Sequence, residues 1–237
     1  MNVRAAGVAA LGLGVAVATV GCGLTNLQTA RTVPAGETRT TIGAGVIHNG
    51  DRNLGGGVSA IPVDVMVRHG VTERVDWGVR LFLGAGLLGD AKWNLLGPDS
   101  RTALAISAGL GAAASPNIQD QGWIEAASIP VTVTLSQALP HGLTPYGALG
   151  YGAYWIFNYR ASDPSAHDAA RSWTGDGLLG LHVGLELAAA SGRAVLLEYV
   201  YARPVVDDPG DRYAFATNQF LMIGFHTGGG AQPLMAR

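Results

Sequence analysis

The chain has 237 residues, of which 48% are hydrophobic and only 14% are charged. Soluble domains average about 25% charged residues, so the composition argues against a protein whose whole surface faces water. The 15 basic and 17 acidic residues give a formal charge of −2, which offers nucleic-acid binding little electrostatic support. A single cysteine excludes a disulfide framework and a metal site of the Cys-x-x-Cys type. We predict no metal and no other cofactor.

The first segment has the pattern of an export signal. Met1–Arg4 carries one positive charge, and Ala5–Val20 is an uncharged stretch of 16 residues, shorter than the roughly 20 that a transmembrane helix needs. We therefore predict a signal peptide over 1–21. It ends in Thr19-Val20-Gly21-Cys22, which resembles a bacterial lipobox apart from its threonine. The resemblance implies that Cys22 is lipidated, and the alternative is an ordinary signal peptide that is cleaved nearby.

The remainder of the chain has the pattern of strands that could cross a membrane. Each apolar run is broken by glycine, proline or charge well before the 18 residues of a transmembrane helix. A closed β-barrel also satisfies every backbone group in lipid, and its signature is segments of about ten residues with alternating polarity. This alternation predicts ten strands, over 37–48, 60–70, 75–84, 88–96, 102–113, 123–137, 143–159, 174–188, 194–203 and 217–227. We therefore predict an all-β, antiparallel, up-and-down transmembrane barrel.

The connections between these strands alternate in length, except for a short one near 84–87. The short ones are 70–74, 97–101, 138–142 and 189–193, and the long ones are 49–57, 114–122, 160–172 and 204–216. Bacterial barrels have short periplasmic turns and long outer loops, so both termini should be periplasmic. The predicted divisions are a signal peptide over 1–21, a periplasmic tether over 22–36, the barrel over 37–228 and a flexible tail over 229–237.

Aromatic residues fall into two bands along the predicted strands. Near the short connections lie Trp77, Trp93 and Phe225, and near the long ones lie Trp123, Trp155, Trp173 and Tyr201. Two belts of this kind are typical of side chains that anchor a barrel at the two membrane interfaces. The alternative is that they are core aromatics of a soluble barrel.

Charged residues occupy the face opposite the apolar one. Placing oppositely charged residues across each hairpin sets Arg68 opposite Asp76, and Arg80 between Asp64 and Asp90; such pairs stabilise by roughly 0.2–1 kcal/mol each. We predict an inward-facing network of Asp64, Arg68, Asp76, Arg80, Asp90 and Lys92 on one wall, with His182, Glu186 and Glu198 on the other. It either plugs a narrow barrel or lines a lumen that binds an ion or a solute. Ten strands leave little more room than the eight that side chains fill, so we expect a plugged or very narrow lumen.

Four stretches resemble bacterial outer-membrane β-barrel proteins of the small-barrel superfamily. They are PVDVMVRHGVTERVDWGVRL (62–81), GDAKWNLLG (89–97), LTPYGALGYGAYW (143–155) and GLLGLHVGLELAAASGRAVLLEYVYA (177–202). The resemblance covers most of 37–227 and implies a barrel in the outer membrane of a Gram-negative bacterium. Its motifs are generic to barrels, so it implies no reaction and no catalytic residue.

The function that follows is that of a monomeric outer-membrane lipoprotein with a structural, binding or small-solute transport role. Its partners would be membrane lipid and a small solute in the lumen. Enzymatic alternatives are weaker, since Gly224-Phe225-His226-Thr227 lacks the serine that outer-membrane lipid A deacylases use with their histidine. Asp207-Asp208 and His167-Asp168 have the residue types of omptin-like proteases, but turn chemistry explains them equally well. A soluble lipocalin-like barrel, with its apolar side chains inward, is a further alternative.

Overall fold

The computed structural model describes residues 26–49, 57–60, 63–82, 86–117, 122–159, 173–189, 192–205 and 218–228. These ranges hold eleven strands: β1 (Thr38–Asn49), β2 (Gly57–Ala60), β3 (Val63–Thr72), β4 (Val75–Phe82), β5 (Gly86–Asn94), β6 (Thr102–Asn117), β7 (Gly122–Gln137), β8 (Leu143–Tyr159), β9 (Trp173–Ala188), β10 (Ala194–Pro204) and β11 (Asn218–Gly228). A single 3-10 turn over Pro140–Gly142 precedes β8. Within the described ranges, no helix is long and apolar enough to cross a membrane.

The strands form one antiparallel sheet that closes on itself. From β3 to β11 each strand pairs with the next along the chain, and β11 pairs with β1 from Arg39↔Gly228 to Asn49↔Asn218. Both β2 and β3 pair with β1, along its later and earlier halves, so the two short strands occupy one position in the wall. The result is a closed barrel with ten strand positions, which confirms the predicted fold class.

Side chains alternate between the two faces of the wall, as a period of two requires. Leu110 is 70% exposed and Val183 is 58% exposed on the outside, whereas Asp76 and Glu198 are fully buried on the inside. The barrel therefore turns its charges inward and a broad surface of large apolar side chains outward, while further apolar side chains such as Leu196 and Met222 are buried inside. This orientation contradicts the lipocalin-like alternative, which needs the opposite one.

The connections 73–74, 95–101, 138–142 and 189–193 all lie at one end of the barrel, which we call the short-turn end. β1 begins at this end and β11 finishes there, because the wall has an even number of strand positions. The connections at the opposite end run through 50–56, 83–85, 118–121, 160–172 and 206–217, which lie outside the described residues. The wall is tallest at β6 to β9, with 16 or 17 residues per strand, and shortest at β3 to β5, with 8 to 10.

The described part of the predicted tether lies inside the barrel. We call Asn26–Val33 the lumen segment, because Leu27, Ala30 and Val33 are 0 to 1% exposed within the wall. Residues 34–37 then lead to β1 across the short-turn end, where Gly36 N–H donates to the Gly70 carbonyl. A tether in water would expose these apolar side chains and leave charges of the inner face without partners. The tether prediction was therefore wrong for these residues.

The other predicted N- and C-terminal features fall outside the described residues. These are the signal peptide over 1–21, Cys22 and the tail over 229–237.

Candidate functional site

The inner face of β3 to β5 carries a compact cluster of buried ion pairs. Arg68 is its centre, with Nη2 2.5 Å from Asp76 Oδ1 and Nη1 2.7 Å from Asp90 Oδ1. Lys92 Nζ lies 3.5 Å from Asp76 Oδ2, and Arg80 Nη1 lies 4.0 Å from Asp64 Oδ2. Removing one partner of a buried pair typically costs about 3–5 kcal/mol, because an uncompensated charge remains.

The register of these strands differs from the predicted one by two residues. Arg68 lies opposite Gly78 instead of Asp76, because the hairpin contains an irregularity between Gly70 and Thr72. A two-residue shift keeps every side chain on its own face, so alternation alone does not distinguish the two registers. Arg68 still reaches Asp76 diagonally, but Asp90 binds Arg68 rather than Arg80. The predicted contact between Arg80 and Asp90 was wrong.

Two glycines allow a long side chain to pass over the neighbouring strand and reach the strand beyond it. Gly78 lies directly between Arg68 on β3 and Asp90 on β5, and a Cβ built there would be 2.8 Å from Arg68 Nη1 and 3.0 Å from Asp90 Oδ1. Gly184 is likewise opposite both Tyr146 on β8 and Glu198 on β10. The tyrosine ring passes over it, and its hydroxyl donates to Glu198 Oε2 at 2.9 Å.

The inner face of β8 to β11, which we call the far wall, carries two histidine–carboxylate pairs. His182 Nδ1 lies 3.3 Å from Glu198 Oε1, and His226 Nε2 lies 3.4 Å from Glu186 Oε2. The other ring nitrogen of His226 is 2.6 Å from Thr41 Oγ1. His226 is buried and points into the lumen. The lipid A deacylase alternative needs a histidine that faces lipid, so this orientation counts against it.

Glu198 binds the start of the lumen segment through backbone groups. Its Oε1 accepts a 2.7 Å hydrogen bond from Asn26 N–H, and its Oε2 accepts one of the same length from Leu27 N–H. Leu27 has a φ of 42°, a left-handed conformation that is uncommon for leucine. Consecutive N–H groups around such a residue can converge on one anion. Two backbone N–H groups therefore compensate the charge of the Glu198 carboxylate, a role that a basic side chain has elsewhere in the network.

We call the inner face of β3 to β7 the near wall. Its basic side chains bind carbonyl groups of the lumen segment. Arg80 Nη2 donates to the Asn26 carbonyl at 2.6 Å. Lys92 Nζ donates to the carbonyls of Thr29 at 3.3 Å and Arg31 at 2.7 Å.

An acidic and a hydroxyl group of the near wall accept two further backbone donors of the segment. Asp76 Oδ2 accepts from Val33 N–H at 2.8 Å, and Ser136 Oγ accepts from Ala30 N–H at 3.2 Å. Acceptors and donors of the wall thus pair with several donors and acceptors of the segment's backbone.

Leu27 occupies an apolar pocket at the seam where the barrel closes. Gly43 on β1 and Gly224 on β11 face each other across this seam, and a Cβ on Gly224 would already lie 3.4 Å from a Leu27 methyl carbon. Leu27 belongs to the main buried apolar cluster, with Leu196 and Met222 among its members. The glycines therefore leave the volume that the leucine side chain fills.

Little space remains between the lumen segment and the wall. A cavity beside Asn26, Gln28, Arg80 and Asp90 has about 20 Å³ available to the centres of water molecules. That volume holds one or two waters and no larger solute. Along the described residues, the lumen is filled by the segment and the charged side chains, and toward the opposite end by apolar and aromatic side chains such as Tyr154 and Phe220.

The predicted aromatic bands are only partly described. Trp77, Trp93 and Phe225 lie at the short-turn end on the outer face, each about half exposed. Tyr201 lies near the opposite end of β10, also outward, and Trp155 is half-buried. The side chains of Trp123 and Trp173 lie outside the described residues.

Comparison with known proteins gives only distant structural similarities. No family model matches the chain, and no curated protein matches it. Its structure is similar to the outer membrane protease OmpT from Escherichia coli, with a TM-score of 0.46 and 10% identity over 86% of this chain and 100% of that one. It is similar to Ail, the attachment invasion locus protein of Yersinia pestis, with a TM-score of 0.44 and 11% identity over 82% and 99%. At such values no residue role carries over.

Substituting Gly184 tests whether its missing side chain is what allows Tyr146 to reach Glu198. Gly184→Val should lower the free energy of unfolding by about 1–3 kcal/mol, because the added side chain overlaps the tyrosine ring. Gly89→Ala is the matched control, since a Cβ at Gly89 meets nothing within 4 Å; it should change stability by less than about 0.5 kcal/mol. Urea unfolding of the refolded protein measures both. Equal effects of the two substitutions would show that Tyr146 does not depend on the glycine.

Proposed function

We propose that the protein is a bacterial outer-membrane β-barrel whose lumen is closed by its own N-terminal segment. Its role is then structural or binding, and it is not an open diffusion pore. The observation that carries the proposal is the polarity of the wall, whose outer face is apolar and whose buried charges all point inward. A closed barrel of this polarity satisfies its backbone in lipid and keeps its charges out of it.

The outer aromatic residues support the same location. Trp77, Trp93 and Phe225 are exposed at the short-turn end, where amphipathic rings would lie at the headgroup level. We propose that this end faces the periplasm, because short turns are typical of that side in bacterial barrels.

A depth-dependent substitution tests the membrane location. Leu181 is exposed near the middle of β9, whereas Val71 is exposed close to the short-turn end of β3. In lipid vesicles, Leu181→Arg should lower the free energy of unfolding by about 2–4 kcal/mol, and Val71→Arg by no more than about 1 kcal/mol. Equal penalties at the two depths would contradict a bilayer around this wall.

The conductance of the barrel tests whether the lumen is closed. In planar bilayers the wild-type protein should show no open-pore steps, because the lumen segment fills the space inside the wall. Leu27→Asp should produce such steps, since an unpaired charge in the Leu27 pocket is costly and drives the segment out. Thr32→Asp, which adds the same charge at a half-buried rim position, should remain closed. Steady pore conductance of the wild type would contradict the closed lumen.

We further propose that Cys22 carries a lipid, on the strength of its lipobox-like sequence.

Substituting the cysteine tests the lipid anchor. Cys22→Ser should block lipoprotein processing, so the precursor should accumulate with a higher mass and incorporate no labelled fatty acid. The matched control is Gly23→Ala, which leaves the cysteine in place and should be processed. A Cys22→Ser protein of the same mature mass as the wild type would favour the ordinary signal peptide.

A further inference from the structure

The barrel binds the lumen segment through both backbone and side-chain atoms of the segment. Seven hydrogen bonds involve backbone N–H or carbonyl groups of the segment, and their wall partners are Glu198, Arg80, Ser136, Lys92 and Asp76. The side chains of Asn26 and Gln28 bond to Thr134 and Lys92, and those of Arg31 and Thr32 bond to carbonyl groups of the short connections. Every residue except proline carries the same backbone groups, so the seven backbone contacts do not depend on which residues the segment contains.

Two apolar positions of the segment add contacts that depend on side-chain size. Leu27 fills the pocket left by Gly43 and Gly224, and Ala30 packs fully buried against Ala103 and Ala105. An aliphatic residue followed three positions later by a small one therefore fits these contacts. The wall thus binds backbone groups of the segment together with a Leu-x-x-Ala pattern.

The wall groups have few other partners among the described residues. Without the segment, Glu198 would keep only His182 and the Tyr146 hydroxyl, and Lys92 would keep only its ion pair with Asp76. Buried charges that lose their hydrogen bonds carry a large cost. The empty lumen would therefore favour any occupant that presents the same backbone groups.

From this match we propose that the lumen is a binding site for a peptide, and that the lumen segment is its intramolecular occupant. A peptide of another chain with the Leu-x-x-Ala pattern can take the same place when the segment leaves. The inference rests on the proposed function only in that both need a closed barrel.

The experiment turns the segment into a separate ligand after the barrel has folded. A protease recognition sequence is inserted between Ala35 and Gly36, which are exposed at the short-turn end, and the refolded full-length protein is cleaved in detergent. An acetylated synthetic peptide with the sequence 26–35, labelled at its carboxyl end, is then added. Fluorescence anisotropy should report saturable binding to the cleaved protein and none to the uncleaved protein, whose own segment occupies the site.

Modified peptides separate backbone recognition from non-specific adsorption. N-methylation at Leu27 removes the donor to Glu198 Oε2 and should weaken binding about tenfold or more. N-methylation at Thr32, whose N–H makes no hydrogen bond among the described residues, should change affinity less than about threefold. A Leu27→Asp peptide should not bind. The proposal would be overturned if the cleaved barrel lost its segment and then bound no peptide. It would also be overturned if the cleaved barrel bound all these peptides with equal affinity.

Thermal unfolding gives a second readout that does not require exchange at room temperature. Excess unmodified peptide should raise the Tm of the cleaved protein by mass action, and the peptide that is N-methylated at Leu27 should raise it less. Identical Tm values with both peptides would also overturn the proposal. These measurements are made in detergent, whereas the proposed function is tested in vesicles and planar bilayers, so failure of one is distinguishable from failure of the other.

Discussion

The structure depends on how charge is compensated inside a closed, nearly dry lumen. The described inner face of the wall contains five carboxylates, on Asp64, Asp76, Asp90, Glu186 and Glu198, but four basic side chains, on Arg39, Arg68, Arg80 and Lys92. Buried charges need partners of opposite charge or several hydrogen bonds. The near wall meets this need largely with ion pairs, and the far wall does so with histidines, a tyrosine and backbone N–H groups. The lumen segment thus takes part in the electrostatic balance of the barrel.

Glycine gives this balance its geometry. In a strand interior a glycine often marks a place where another group approaches closely, and here that group is a side chain reaching over to a carboxylate. Gly78 is crossed by Arg68, Gly184 is crossed by Tyr146, and the Gly43–Gly224 pair makes room for Leu27. The high glycine content of the chain therefore reflects more than a narrow barrel. It allows single side chains to connect strands that are not neighbours.

Alternation along the strands predicted the fold, because a period of two fixes which face each side chain occupies. It also placed Arg68, Asp76 and Lys92 on one face, where the structure brings them together. It could not fix the register, because a shift of two residues leaves both faces unchanged, and charge pairing across the hairpin favoured a register that the irregularity near Gly70 excludes. The partner of Asp90 was missed because β4 and β5 also pair two residues away from the predicted register, which sets Leu88 instead of Asp90 opposite Arg80.

The lumen segment was missed because it has no period of its own. It is short and irregular, with a left-handed φ at Leu27, and seven of its hydrogen bonds to the wall are made by backbone atoms, which are the same for every sequence. One signal was present in the excess of inward carboxylates over cations, since those carboxylates required donors that the wall did not supply. Backbone N–H groups are such donors, and a hydrogen bond to a charged group contributes about 1.5–3 kcal/mol. The two that converge on Glu198 therefore bind the segment and stabilise the carboxylate at the same time, so the empty wall and the free segment are each less stable than the two together.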